Sequence, residues 1–273
     1  MTSIIDNDTY TTANQKLPDI DRLTARIAYL SADFISVKFK PDSNSPVAAT
    51  CLQDTSRTLR EARYALLEAI AHKIWHLEKS NPPNELAAVF FGRFYVDDAA
   101  LRLYSAAEHL AKAIVYMFDI SDDKLKDNRK GAGSRFVAVK KIMVNEQPAT
   151  HPVTMAINEL YNSSEWKKTI CYRDTWVHNQ PPIVKGQGMV FKRESRWKHS
   201  ETDKSYKLGL GSGDEAEYSI DDLLGFIQPA LFQFTDKLTI VIEYYIQELE
   251  KKGITIGKSG LTTHFKGKPN GAS

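Results

Sequence analysis

The stretch Asp54 to Lys79, DTSRTLREARYALLEAIAHKIWHLEK, decides the fold class. Leu59, Ala62, Leu66, Ile70, Ile74 and Leu77 recur every three or four residues, a spacing that gathers them on one side of a helix. Arg, Glu and Lys occupy much of the remainder. The spacing predicts a long amphipathic helix with Asp54 or Thr55 as its N-cap and a stop at Ser80-Asn81-Pro82-Pro83. A second helix is expected from near Asp97, with Ala100, Leu103, Ala107, Leu110, Ile114 and Met117 on one face and Arg102, Glu108, His109 and Lys112 elsewhere. Two long helices with a modest connection can pack antiparallel, so the reading is a helical bundle.

Working toward the N-terminus, Lys38 to Ala48 contains Pro41, Ser43, Asn44, Ser45 and Pro46, whose turn chemistry marks a boundary. Residues 1–48 are therefore expected to form an extension. Its first dozen residues read as mobile, and Ile20, Leu23, Ile27 and Leu30 read as a short helix. Working toward the C-terminus, Lys124 to Lys141 carries seven Lys or Arg against Asp127, with Gly131 and Gly133 in the middle, and is expected to be a basic, flexible connection. Val153, Ile157 and Leu160 follow His151-Pro152, and helical character resumes from Trp166 to Trp176. Pro181 and Pro182 should then stop the helix, because proline lacks an amide donor and disfavours helix in the residue before it.

Residues 183–213 change character. Met189-Val190-Phe191 and Tyr206 to Leu210, among glycines, suggest a small β-hairpin inserted between helices. From Ser219 to Lys252, the positions Leu223, Ile227, Leu231, Phe234, Leu238, Ile242, Tyr245 and Leu249 predict a major core helix, kinked or broken at Pro229. The expected organisation is thus an extension over 1–48, a helical domain over 49–252 that includes the insertion, and a fraying tail over 253–273. No internal repeat is apparent.

Composition bounds the function. The chain has 273 residues, 42% hydrophobic and 26% charged, which fits a globular protein and argues against a disordered or collagenous one. A formal charge of +2 means that any nucleic-acid binding must rest on local patches. Cys51 and Cys171, the two cysteines, are expected to be free thiols, with Cys171 packed. The N-terminus lacks a basic start followed by an apolar run, and Leu238 to Ile246 is too short to span a bilayer, so a cytoplasmic protein without membrane contact is expected. His72 and His76 have the i, i+4 spacing of a metal pair but no third ligand in a recognised pattern. They read as helix-surface histidines, and no metal or cofactor is expected. Phe90-Phe91-Gly92-Arg93-Phe94-Tyr95 reads as core or as a dimer interface.

One string carries chemistry: Tyr172-Arg173-Asp174-Thr175-Trp176-Val177-His178, at the end of a helix and just before two prolines. Two other Arg and His pairs have comparable spacing. Arg102 with His109 lies inside a strongly periodic helix, and Arg193 with His199 lies in the hairpin region. The Arg173 string, with a polar residue directly after the Arg and four residues before the His, resembles the motif of the HEPN superfamily. The resemblance extends over roughly 54 to 250 as long helices before the motif and one after it; the hairpin-like insertion departs from the simplest bundle.

The resemblance implies a mainly α, HEPN-like bundle and a metal-independent endoribonuclease that cuts RNA by attack of the ribose 2′-hydroxyl. It implies Arg173, Asp174 and His178 as catalytic residues in a composite site built by a homodimer, of the kind found in toxin, defence or RNA-processing systems, where an antitoxin can be a partner. From the residues themselves, Asp174 and His178 are four apart and share a helix face, so the carboxylate could fix the imidazole tautomer. Arg173 and His178, five apart, diverge by about 140° unless the last turn loosens. Lys140, Lys141, Lys192, Arg196 and Trp197 are the candidate RNA contacts, pairing cations for phosphates with one ring for stacking. The alternative is a non-catalytic HEPN-like domain that binds a nucleotide or a protein partner. A third possibility is a helical scaffold unrelated to that superfamily, because long amphipathic helices are generic.

Overall fold

The computed structural model describes residues 5–28, 43–129, 133–178, 182–186, 216–256 and 263–265, and these are mainly helical. In chain order the elements are α1 (Asn7–Asn14), α2 (Asp21–Ala28), α3 (Asn44–Ile74), which continues into a π turn (Trp75–Lys79), and α4 (Glu85–Met117). There follow α5 (Asp122–Arg129), α6 (Arg135–Glu146), α7 (Pro152–Asn162), α8 (Ser164–His178) and α9 (Ile220–Lys251). Strands β1 (Ile254–Ile256) and β2 (Thr263–Phe265) pair antiparallel, Ile254 opposite Phe265.

The frame is the α3–α4 pair. Asn44 bonds Asp119, Arg102 pairs with Glu61, and His72 stacks on Phe91, so residue numbers rise along one helix as they fall along the other and the two are antiparallel. Their buried faces alternate large and small residues: Leu52, Leu59 and Leu66 on α3 and Leu103, Leu110 and Ile114 on α4, set among Ala62, Ala65, Ala69, Ala99, Ala106 and Ala113. Alanine at a helix contact allows close axial approach, and the leucines fill the grooves that remain. Helix α9 closes the bundle with Leu223, Ile227, Leu231, Phe234, Leu238 and Ile242, each fully buried.

Both frame helices begin earlier than the apolar spacing suggests. Ser43 caps α3 by accepting from the Ser45 amide, and Pro46 sits in the first turn, where a missing N–H costs nothing. Thr55 is no cap: it is buried in mid-helix, its hydroxyl donating to the Cys51 carbonyl at 2.7 Å. The helix therefore runs through the boundary expected at 48/49. Asn84 caps α4 by accepting from the Ala87 amide at 3.0 Å, twelve residues or so before the expected start near Asp97.

Three further expectations are corrected. The N-terminal residues form α1, capped by Asp6, and it packs on α3 with Tyr10 donating to the buried carboxylate of Glu68 at 2.9 Å. The basic stretch 124–141 is largely two helices. Ser134 and Glu108 cap α6, and Phe136, Val139, Ile142 and Met143 bury its inner face. Helix α9 begins with a full capping box of Ser219 and Asp222 and runs through Pro229, so the helix is not broken there. Proline removes one intrahelical bond there, and the buried neighbours Ile227, Ala230 and Leu231 hold the helix across the gap. It ends at Gly253, whose φ of 84° is the left-handed turn that a glycine accepts readily.

The hairpin expected near 183–213 falls mostly on 187–215, outside the described residues. At its borders Val184 and Tyr218 form one parallel bridge. Among the described residues no helix is long and apolar enough to cross a membrane.

If α6 is a packed helix and not a basic linker, Phe136→Ala should lower unfolding stability by about 3–5 kcal/mol. Urea unfolding followed by circular dichroism measures this, and a loss under about 1 kcal/mol would refute the packing described here.

Candidate functional site

Helix α8 carries the Arg173 string, and its placement starts with Tyr172. This residue is 1% exposed, with its ring edge-on to Tyr218 and Phe226. Its hydroxyl donates to Asp97, a carboxylate buried in the middle of α4 that also pairs with Arg93 at 3.5 Å. Burial pushes the Asp97 carboxyl above its ordinary range, opposed by the Tyr172 bond and by Arg93. Burial and the neighbouring Asp97 push the Tyr172 phenol up in turn, so it remains a donor. Sequence reading took Asp97 for the start of a helix; its role as a buried acceptor 75 residues from Tyr172 has no local signature.

With Tyr172 locked inward, Arg173 turns toward α4 on the adjoining side. Its guanidinium carbon lies 4.0 Å from the centroid of the Tyr104 ring, a cation–π contact, and Nη1 donates to Asp174 Oδ1 at 2.8 Å. The side chain is 14% exposed, and its Nε is buried without a hydrogen-bond partner. A buried, unsatisfied N–H on a charged fork is costly and marks a position where an acceptor would be favourable.

Arg173, Asp174 and His178 all border one cleft of about 880 Å³ between α8, α4 and the start of α6. Tyr104 and Glu108 come from α4, Ser134, Phe136 and Val137 from α6, Tyr161 from α7, and Trp166, Lys167 and Cys171 from α8. The start of α6 is not a vacant anion site. The two Glu108 oxygens accept from the Arg135 and Phe136 amides at 3.2 Å each, and Ser134 Oγ accepts from Val137. The cationic side chains of the cleft are instead on the α8 wall, Arg173 and Lys167.

The internal geometry of the string differs from expectation in two respects. Helix α8 stays α-helical through His178, so the divergence of Arg173 and His178 is not relieved by a loosened turn; both border the cleft, which runs along α8 from Trp166 to His178. Asp174 bonds Arg173 and not His178, so the carboxylate orients the guanidinium and does not fix the imidazole. Cys171, expected to be packed, is exposed, whereas Cys51 is buried.

The candidate RNA contacts divide. Lys140 sits 4.9 Å from the centroid of the Tyr161 ring at the cleft edge, and Lys141 is exposed. Lys192, Arg196 and Trp197 lie outside the described residues, as does the pair Arg193 and His199. Arg102 is held by Asp98 and Glu61, which assigns it to the surface of the α3–α4 frame. Tyr104, Glu108 and Trp166 were not anticipated as cleft residues. Their sequence signal is helical periodicity alone, and only the approach of α8 to α4 gathers them.

His72 and His76 are not surface histidines. They are stacked with Phe91, His72 Nδ1 lies 3.4 Å from His76 Nε2, and Glu68 and Tyr95 face His72. Among the described residues no group of three or more His, Cys, Asp or Glu is arranged to hold a metal ion. Burial holds both imidazoles below their ordinary range, against the opposing pull of Glu68 on His72. A histidine with a depressed pKa contributes stability that is complete above its unfolded value of 6.5 and is lost as pH falls through the folded value. Unfolding free energy should therefore decline as pH drops below 6.5, and His72→Gln with His76→Gln should flatten that slope. Parallel slopes in the two proteins, measured by urea titration at several pH values, would contradict the burial argument.

Compared with protein-family models, with curated proteins and with solved structures, the chain shows no match.

Proposed function

We propose that this protein is a metal-independent endoribonuclease of HEPN type, with Arg173 and His178 acting on RNA at the cleft beside α8. One observation carries the reading: a guanidinium with a buried, partnerless Nε and an exposed imidazole border the same cleft. In this reading His178 accepts the proton of the ribose 2′-hydroxyl, whose oxygen attacks the adjacent phosphorus. The P–O5′ bond breaks as a second imidazole protonates the leaving oxygen, giving a 2′,3′-cyclic phosphate and a free 5′-hydroxyl. Arg173 offers its fork of donors to the phosphate oxygens as charge develops there. Asp174, bonded to Nη1, is a positioning residue for that fork. The second imidazole comes from a second copy of the chain, which makes the site composite. In this reading Lys167, which lines the cleft, and Lys140, beside the cleft residue Tyr161, meet flanking phosphates.

A second reading is a non-catalytic nucleotide-binding domain. It is favoured by the size of the cleft, within the range of about 300–1,000 Å³ typical of small-molecule pockets, and by its aromatic floor of Phe136 and Trp166.

The deciding measurement is cleavage of structured and unstructured RNA in EDTA by the wild-type protein, Arg173→Ala and His178→Ala, with fold checked by circular dichroism. Metal-independent cutting that falls by about 10²-fold or more in each folded variant is expected. Absence of wild-type cutting across these RNAs, together with saturable nucleotide binding, would replace the ribonuclease by the binding domain.

A further inference from the structure

The first quarter of α4 presents an apolar ridge to solvent. Leu86, Phe90 and Phe94 are spaced i, i+4, i+8 and are 63%, 61% and 63% exposed. Phe91, at 36%, lies edge-on to Phe90 with ring centroids 5.3 Å apart. Large apolar side chains left single on a surface are ordinary, but four within about three turns of one helix are not. The sequence reading offered core or dimer interface for this run. Exposure removes the first of these for Phe90 and Phe94, while Phe91 packs partly on His72.

We infer that this ridge is a self-association surface, on which a second copy of the chain docks antiparallel across a two-fold axis near Phe90. The chemistry of the ridge selects protein over nucleic acid. Arg93 is the sole charged residue between Leu86 and Val96, and it is turned inward to Asp97 and 12% exposed, so the face offers no cation to a phosphate backbone. The rim carries acids, Glu85 at one end and Asp98 with Glu61 around Arg102 at the other, which disfavours an anionic lipid surface.

The spacing then selects a second copy. Leu86 and Phe94 are equidistant from Phe90, each one helical step of about 6 Å away, so the stripe maps onto itself when reversed. An antiparallel copy sets Phe90 against its counterpart and Leu86 against Phe94 at both ends, which is the isologous geometry of a two-fold contact. Large side chains present about 150–250 Å² each, so these four residues at their exposures offer roughly 450 Å² per copy, and a total of about 900 Å² is the size of a weak, concentration-dependent contact.

The ridge helix is the one that holds Tyr172 through Asp97, so self-association there joins two copies through the element that positions each Arg173. That consequence for cleavage rests on the ribonuclease reading; the association itself does not.

The test is the molar mass of the full chain by light scattering and sedimentation across a concentration series. Wild-type protein is expected to rise toward twice the chain mass as concentration increases. Phe90→Glu with Phe94→Glu is expected at the single-chain mass, with the dissociation constant raised at least tenfold and an unchanged circular dichroism spectrum. Phe232→Glu, an apolar residue on α9 that is 39% exposed, should leave the mass unchanged. In a Cys171→Ser background, Phe90→Cys should form a disulfide-linked dimer under mild oxidation and Phe232→Cys should not. A wild-type protein at single-chain mass throughout the series, a double glutamate variant that stays paired, or no preference for Phe90→Cys overturns the proposal. A paired protein that does not cut RNA in EDTA sinks the ribonuclease reading alone, and a cutting protein whose double glutamate variant stays paired sinks the ridge alone, so the two failures are separable.

Discussion

The hydroxyl of Tyr172, donating to a carboxylate buried inside α4, ties the candidate site to the frame of the molecule. A buried carboxylate is tolerated only when its oxygens are engaged, and Asp97 has Tyr172 on one oxygen and Arg93 on the other. Because residues one apart on a helix point about 100° from each other, sinking Tyr172 into the core obliges Arg173 to leave along the adjoining face. There it meets Tyr104, one of the few cleft groups that can receive a guanidinium face-on. The position of the site cation is thus a consequence of a packing decision made one residue earlier.

That dependence extends outward through the frame. Tyr104 and Glu108 lie one turn apart on α4, so the helix that stacks on Arg173 also supplies the carboxylate that caps α6. The cleft has an internal electrostatic division as a result. On one side Glu108 occupies amides that an anion would otherwise use, and on the other a guanidinium keeps one buried donor unmatched. Both features favour negative charge at the α8 wall over the start of α6. The same helix exposes the Leu86–Phe94 ridge at its other end, so one α4 serves as core, site wall and apolar surface at different heights.

Legibility in the sequence follows the range of the forces involved. The faces of α3, α4 and α9 could be read because burial of one side of a helix writes a period of three to four into the chain; Leu59, Leu66, Leu103, Leu110, Phe234 and Leu238 are all buried as that period requires. Helix starts were misplaced where cap chemistry resembles turn chemistry. Ser43, Asn44 and Pro46 are turn formers and first-turn formers alike, and the sequence contains nothing local to separate the two. In α6 the lysines drew attention from Phe136, Val139, Ile142 and Met143, whose spacing was helical throughout.

The sequence by itself determined that the chain is built of amphipathic helices and that Arg173, Asp174 and His178 stand together at the end of one of them, since periodicity and adjacency are local properties. The tertiary structure alone decided what those residues face. The Tyr172–Asp97 bond joins positions 75 apart, the Arg173 contact with Tyr104 spans nearly as far, and Asp174 chose the guanidinium over the imidazole four residues on. Such choices depend on which helices meet and which polar groups must be satisfied once water is excluded, and that accounting exists only after the chain has packed.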